Sequence, residues 1–204
     1  MSGIEFARLA RQVKEQIGQD HRYAHSVRVA RCAGQLARRH GVDVQRARIA
    51  GLLHDLARLY PPERLIAEAK ARGFTIESYE REHPTLLHAR VGAALARERF
   101  GITDPGILSA IEKHTTGAGE MSALDCVVYL ADTVEPGRRF PERAGLAELA
   151  QRDLFAAMRE TVRLAIAHHA EKGRYAAPPT IAAARTFDLP TPSWTAPEVR
   201  ASAS

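Results

Sequence analysis

Cysteine, aromatic residues and lysine are scarce in this chain, and the first two shortages each close off a class of protein. Only two cysteines, Cys32 and Cys126, occur in 204 residues, and no CxxC is present. A disulfide framework and a cysteine-based zinc knuckle are therefore both excluded, and the two thiols read as buried free groups inside apolar runs. Aromatic residues make up 6% of the chain, with one tryptophan, and they do not alternate with basic residues. That interleaving is what a single-strand binder needs for stacking, so nucleic acid is not the expected partner. The first residues, MSGIEFARLARQVKEQ, lack the apolar core of a signal peptide, and no apolar run approaches membrane-spanning length. The expectation is a soluble, cytoplasmic protein without a membrane partner. Only Lys14, Lys70, Lys113 and Lys172 are lysines among 29 basic residues, which leaves 25 arginines. With a net charge of +5 and a pI near 9.5, this bias reads either as the mark of a GC-rich genome or as an attraction for polyanions, whose phosphates arginine forks grip well. The oligomeric state is open, a homodimer included.

What is present is ordinary for a globular chain, 45% hydrophobic and 26% charged residues, at a length that suits one domain with a real core. The apolar residues recur at helical spacing. Ile4, Leu9, Val13 and Ile17 predict a lead helix within residues 1–20. His25, Val29, Cys32, Ala33, Leu36 and Ala37 share one face of the next helix, which Gly41 ends. Asp43 is a candidate N-cap for a helix carrying Ile49, Leu52, Leu53 and Leu56 through His54-Asp55 to the stop at Pro61-Pro62. Another runs from Glu63 to Ala71, and residues 74–82 read as a polar loop. Helices follow from His83-Pro84 through Leu95, from Asp104-Pro105 to His114, and over Leu124–Val134 behind a Ser122/Asp125 capping box. A short helix near Leu146, one from Leu154 to about His169, and one from Pro178 complete the series. Beyond Pro190 the composition turns to Pro, Ser and Thr, and 191–204 is expected to be a disordered tail. No strand and no repeat is evident. The fold class is all-α, with one domain over 21–190.

Six residues of metal-ligand type fall on these helices or at their ends, beside buried aliphatics: His25, His54, Asp55, His88, His114 and Asp132. Imidazole and carboxylate together suit Fe, Mn, Co, Ni or Zn better than Ca²⁺ or Mg²⁺. Six are too many for one ion that must also bind water, and about right for two ions sharing a carboxylate. Two ions roughly 3.5–4 Å apart can bridge a hydroxide and clamp a phosphoryl oxygen from both sides. Other polar groups have plainer readings. His83 reads as a helix cap, His40 as a complement to a helix dipole, and His21 and His168-His169 as surface. Asp125 reads as a cap, Tyr129 as core, and Glu112 as a solvated residue within reach of a ligand histidine.

The order H…HD…H…H…D resembles the HD-domain superfamily of metal-dependent phosphohydrolases. The match narrows through the text around those residues: Arg22-x-x-His25-Ser26, Leu52-Leu53-His54-Asp55-Leu56-Ala57-Arg58, His83-Pro84…Leu87-His88-Ala89, His114-Thr115-Thr116-Gly117, and Ala131-Asp132-Thr133-Val134-Glu135-Pro136-Gly137-Arg138. These look like the YqeK-type family, bacterial HD-domain enzymes that hydrolyse diadenosine tetraphosphate symmetrically to two ADP. The resemblance implies a helical bundle with the metal site between its central helices. It implies one metal on His25, His54, Asp55 and Asp132, and a second on His88, His114 and the other oxygen of Asp55. Iron is the first expectation, with manganese or cobalt open. It further implies that a bridging hydroxide attacks an inner phosphorus, that Arg58 and Arg138 neutralise phosphate oxygens, and that Thr115, Thr116 and Gly117 donate to another phosphate. Arg58 stands where the family usually has lysine, which keeps the charge and changes its geometry. Two alternatives remain. One is an HD hydrolase of another nucleotide, such as (p)ppGpp or a deoxynucleoside triphosphate, for which one metal often suffices. The other is a catalytically silent nucleotide sensor. The Gly-Tyr-Pro element of cyclic dinucleotide phosphodiesterases is absent.

Overall fold

Asp43 marks the first place where a local rule and the structure meet: its carboxylate accepts from Arg46 N at 2.9 Å and starts a helix. A computed structural model of the chain describes the backbone of residues 3–191, with side chains from Glu5 onward. Over those residues its regular structure is all helical, with no strand. The helices are α1 (Gly3–Ile17), α2 (Asp20–Arg39), α3 (Val44–Leu53), α4 (Pro62–Ala71), α5 (Ser78–Glu82), α6 (Leu87–Phe100), α7 (Pro105–Lys113), α8 (Ala123–Val134), α9 (Arg143–Arg152), α10 (Leu154–Glu171) and α11 (Pro178–Thr186), with one 3-10 turn, Pro84–Leu86, ahead of α6. The place of Ile4's side chain on the first apolar stripe, and the expected tail from residue 192, lie outside the described residues.

Helix α8 is the axis. Its residues from Leu124 to Ala131 are all buried, and it packs against α2, α3, α7, α9 and α10. A helix apolar on every side belongs in the middle of a bundle. Ser122 and Asp125 form the expected reciprocal cap at its start, at 2.8 and 3.2 Å. Helices α2 and α3 approach backbone to backbone at Gly51. A Cβ on Gly51 would lie 3.0 Å from Ala30 Cα and 3.1 Å from Ala30 N, so only glycine lets the two backbones meet there. Asp104 caps α7 by accepting from Gly106 N and Ile107 N, with Pro105 in the first turn. Gly101 ends α6 at φ +66°. Val13 and Leu9 of α1 are buried, and the helix rests on α2 and α3.

Three local expectations are corrected. The helix bearing the His-Asp pair does not run to Pro61: α3 ends at Leu53, and His54 is its C-cap. His54 Nδ1 takes the Gly51 carbonyl, the acceptor that a continuing helix would use for Asp55 N–H, and the chain goes on in tight three-residue turns closed by Leu56 N, Arg58 N and Tyr60 N. Residues 74–82 are not all loop. Ser78–Glu82 makes one helical turn through a capping box between Glu77 and Glu80, and Glu80 is buried on Arg90 at 2.9 Å. Five residues are too few to show a helical period. His83 stands at the cap position before Pro84, but its side chain makes no capping bond.

Candidate metal centre

Each of the four candidate histidines is fixed through Nδ1. His54 donates to Gly51 O at 2.8 Å, His88 to Thr85 O at 2.5 Å, and His114 to Ile111 O at 2.7 Å, in every case the carbonyl three residues back. A carbonyl only accepts, so the proton sits on Nδ1 and the Nε2 lone pair is left for a ligand role. His54 and His114 are the C-caps of α3 and α7, whose negative dipole ends thus face the same pocket. His25 uses a side chain instead, donating to Glu135 Oε1 at 3.0 Å. Glu135 is 1% exposed and also accepts from Arg28 Nε and Gly137 N, each at 2.6 Å.

The free nitrogens converge in two pairs on one carboxylate. His25 Nε2 and His54 Nε2 lie 3.3 Å apart, and Asp55 Oδ2 is 3.7 and 3.4 Å from them. His88 Nε2 and His114 Nε2 lie 3.2 Å apart, and Asp55 Oδ1 is 3.5 and 3.7 Å from those. Asp132 Oδ1 completes the first group, 3.0 Å from His25 Nε2 and 3.7 Å from His54 Nε2. Imidazole lone pairs this close repel one another unless a positive charge lies among them. The donor set therefore fits metal cations, with groups of three ligand atoms lying within 4.8 Å of one another. The protein groups alone already polarise the site. Burial disfavours charge on His54, but the Asp55 and Asp132 carboxylates outweigh it and push the imidazole up to about 9. Burial holds His114 below the ordinary histidine value. Burial also opposes ionisation of Asp55 and Asp132, yet the facing imidazoles hold both well below the usual carboxylate range.

A family model described as HD domain matches residues 22–137, more than half of the chain and the whole stretch that carries the six candidate ligands. The chain belongs to the HD-domain family. It is similar to the Bacillus subtilis protein named symmetrical bis(5'-nucleosyl)-tetraphosphatase, 38% identical over 74% of this chain and 80% of that one. A Halalkalibacterium halodurans protein of the same name is 36% identical over 80% of this chain and 87% of that one. Among solved structures, a Clostridium acetobutylicum protein described as a "predicted HD superfamily hydrolase involved in NAD metabolism" superposes with a TM-score of 0.85 at 34% identity, over 90% of this chain and 96% of the other.

In this HD domain Asp55, His88, His114 and Asp132 line a pocket of about 250 Å³, together with Arg22, Arg58, Thr115 and Arg138, and His25 and His54 group with Asp55 in its wall. Thr115 Oγ1 is 3.2 Å from His88 Nε2 and 3.0 Å from His114 Nε2. The remaining expected phosphate donors are placed otherwise. Gly117 N–H is spent on Lys113 O at 2.9 Å, and Gly117 sits at φ +68° to turn the chain. Thr116 bonds Gly117 O through its hydroxyl and accepts from Thr180 through its carbonyl, and it lines a different hollow. Arg138 holds Asp132, with Nε on its carbonyl at 2.8 Å and Nη2 on Oδ1. Glu112 is exposed and lies 3.9 Å from Arg90 Nε, and among the described residues it makes no hydrogen bond or ion pair with a candidate histidine. His40 Nε2 lies 2.6 Å from Ala150 O, which ties α2 to α9. Two residues inside the quoted motifs had no role in the sequence reading. Glu135 follows Asp132 by one helical turn, a spacing that could have flagged it as a partner for a ligand, and Arg22 precedes His25 by the same interval.

Proposed function

We propose that this HD domain is a binuclear-metal hydrolase that cleaves diadenosine tetraphosphate symmetrically to two ADP. The observation that carries the two-ion reading is the division of Asp55, with one oxygen toward the His25/His54 pair and the other toward the His88/His114 pair. His25, His54, Asp55 and Asp132 would hold one ion, and Asp55, His88 and His114 the other. Iron is our first choice, with manganese and cobalt as alternatives. Bound there, the ions supply an activated water and the positive charge that opening a phosphoanhydride requires. The names of the relatives at 36–38% identity support the substrate, and a polar pocket rimmed by Arg22, Arg58 and Arg138 suits a polyphosphate.

The chain's own groups do the positioning. Asp55 and the carbonyl-held imidazoles fix where positive charge lies. Arg58, at the rim, neutralises phosphate oxygens, and Thr115 offers a hydroxyl to the oxygen nearest the His88/His114 side. No helix among the described residues is long and apolar enough to cross a membrane. The test is a chromatogram of diadenosine tetraphosphate after incubation with iron- or manganese-loaded protein. Two ADP is the expected product. ATP plus AMP would mean attack at a different phosphorus, and intact substrate with metal bound would overturn the substrate assignment.

A further inference from the structure

Three arginines line the pocket, and existing partners separate two of them, Arg138 and Arg22. Arg138 is committed, since its Nε and Nη2 both bond Asp132. Arg22 is not. It stands on α2 one turn before His25, so its side chain leans over the same face. Its Nη1 lies 3.9 Å from Asp55 Oδ2, beyond hydrogen-bond distance, and its Nε is sealed from solvent without a partner. The same Asp55 Oδ2 lies nearer His25 and His54, at 3.7 and 3.4 Å, so Arg22 holds only a long ion pair to it. A charged N–H that is shut from water and unpartnered is costly, and such groups ordinarily find an acceptor. The side chain is 32% exposed toward the pocket mouth, where an incoming anion would meet it.

We propose that Arg22 is a phosphate-binding residue of this site, and that Arg138 is instead a positioning residue for Asp132. The guanidinium of Arg22 takes a non-bridging oxygen of the phosphoryl group held over Asp55, and its fork supplies two parallel donors where lysine would supply one. The assignment rests on the phosphoanhydride-hydrolase reading for the nature of the anion, but not on the identity of the nucleoside.

The experiment uses the full chain loaded with manganese, and reads three quantities: metal content, the affinity for inorganic pyrophosphate by calorimetry, and steady-state kinetics on diadenosine tetraphosphate. Arg22→Met keeps the aliphatic stem and removes the fork. It should keep the wild-type metal content, weaken pyrophosphate binding about tenfold or more, and lower kcat/KM by a similar factor, chiefly through KM. Arg22→Lys should recover part of the loss. Arg138→Ala should instead lower the metal content. Pyrophosphate affinity and KM within about twofold of wild type in Arg22→Met would overturn the proposal, and so would loss of metal in that variant. If wild-type protein leaves diadenosine tetraphosphate intact but binds pyrophosphate in an Arg22-dependent way, the substrate reading fails and the role of Arg22 stands.

Discussion

Asp55 faces both histidine pairs, and His54 beside it is fully buried, so the two neighbours carry more of the site than any other adjacent pair. Asp55→Ala and His54→Ala are each expected to abolish turnover and most metal binding. Near-wild-type activity or metal content in either, by colorimetric assay and elemental analysis, would refute the site. The thiols give a second test at this scale. Burial, with a smaller push from nearby carboxylates, raises Cys32 to about 11 and Cys126 to about 12. At pH 8 their thiolate fraction is roughly one part in a thousand or less. Native protein should therefore be silent to a thiol-specific reagent at pH 8 and react at both cysteines once unfolded. Because the folded values lie above that of a free thiol, this contribution to stability is complete below about pH 8.5 and is lost as pH rises through the folded values.

Helices α2 and α3 meet at Gly51, and that contact sets His25 beside His54. Gly51→Ala would press a methyl group onto Ala30 backbone, and neither backbone can retreat as a flexible side chain could. The expected cost is about 1–3 kcal/mol of stability. A thermal melt and a metal titration should both move, since separating the helices also separates the two imidazoles. Helix α7 offers a contrast. Asp104 caps it far from the pocket and pairs with half-exposed Arg46 at 2.6 Å. Such exposed pairs contribute little, so the loss in Asp104→Ala is essentially that of the cap. That variant should lose about 1 kcal/mol, or roughly 2–4 °C in Tm, with turnover unchanged.

Over the whole bundle, the site gathers candidate ligands from five places in the chain, so ions held there would fasten α2, α6 and α8 to the ends of α3 and α7. Metal that binds only the folded state stabilises it by mass action, about 2.7 kcal/mol for one ion at a hundredfold excess over its Kd. Removing metal with a chelator should lower Tm by roughly 5–10 °C, and adding back manganese should restore it. An unchanged Tm, with elemental analysis confirming that metal had been present and was removed, would mean that the site does not support the fold.

Much of the bundle was legible in the sequence because its rules are local. The apolar period of α2, α7 and α8, the caps at Asp43, Asp104 and Ser122, and the stop at Gly101 each depend on residues within a few positions of one another. The grouping of the six histidines and aspartates was legible too, since on apolar faces they cost too much to bury without partners. The tertiary structure decided what depends on distant parts meeting. It turned the chain out of α3 at His54, assigned Nδ1 of each imidazole to a carbonyl or to Glu135, and divided Asp55 between two pairs. It also spent Arg138 on Asp132 while leaving Arg22 over the pocket. Hydrogen bonds between residues 25 and 135, or close approach of 88 and 114, leave no periodic trace in either segment, because each half of the contact satisfies only its own helix until the helices pack.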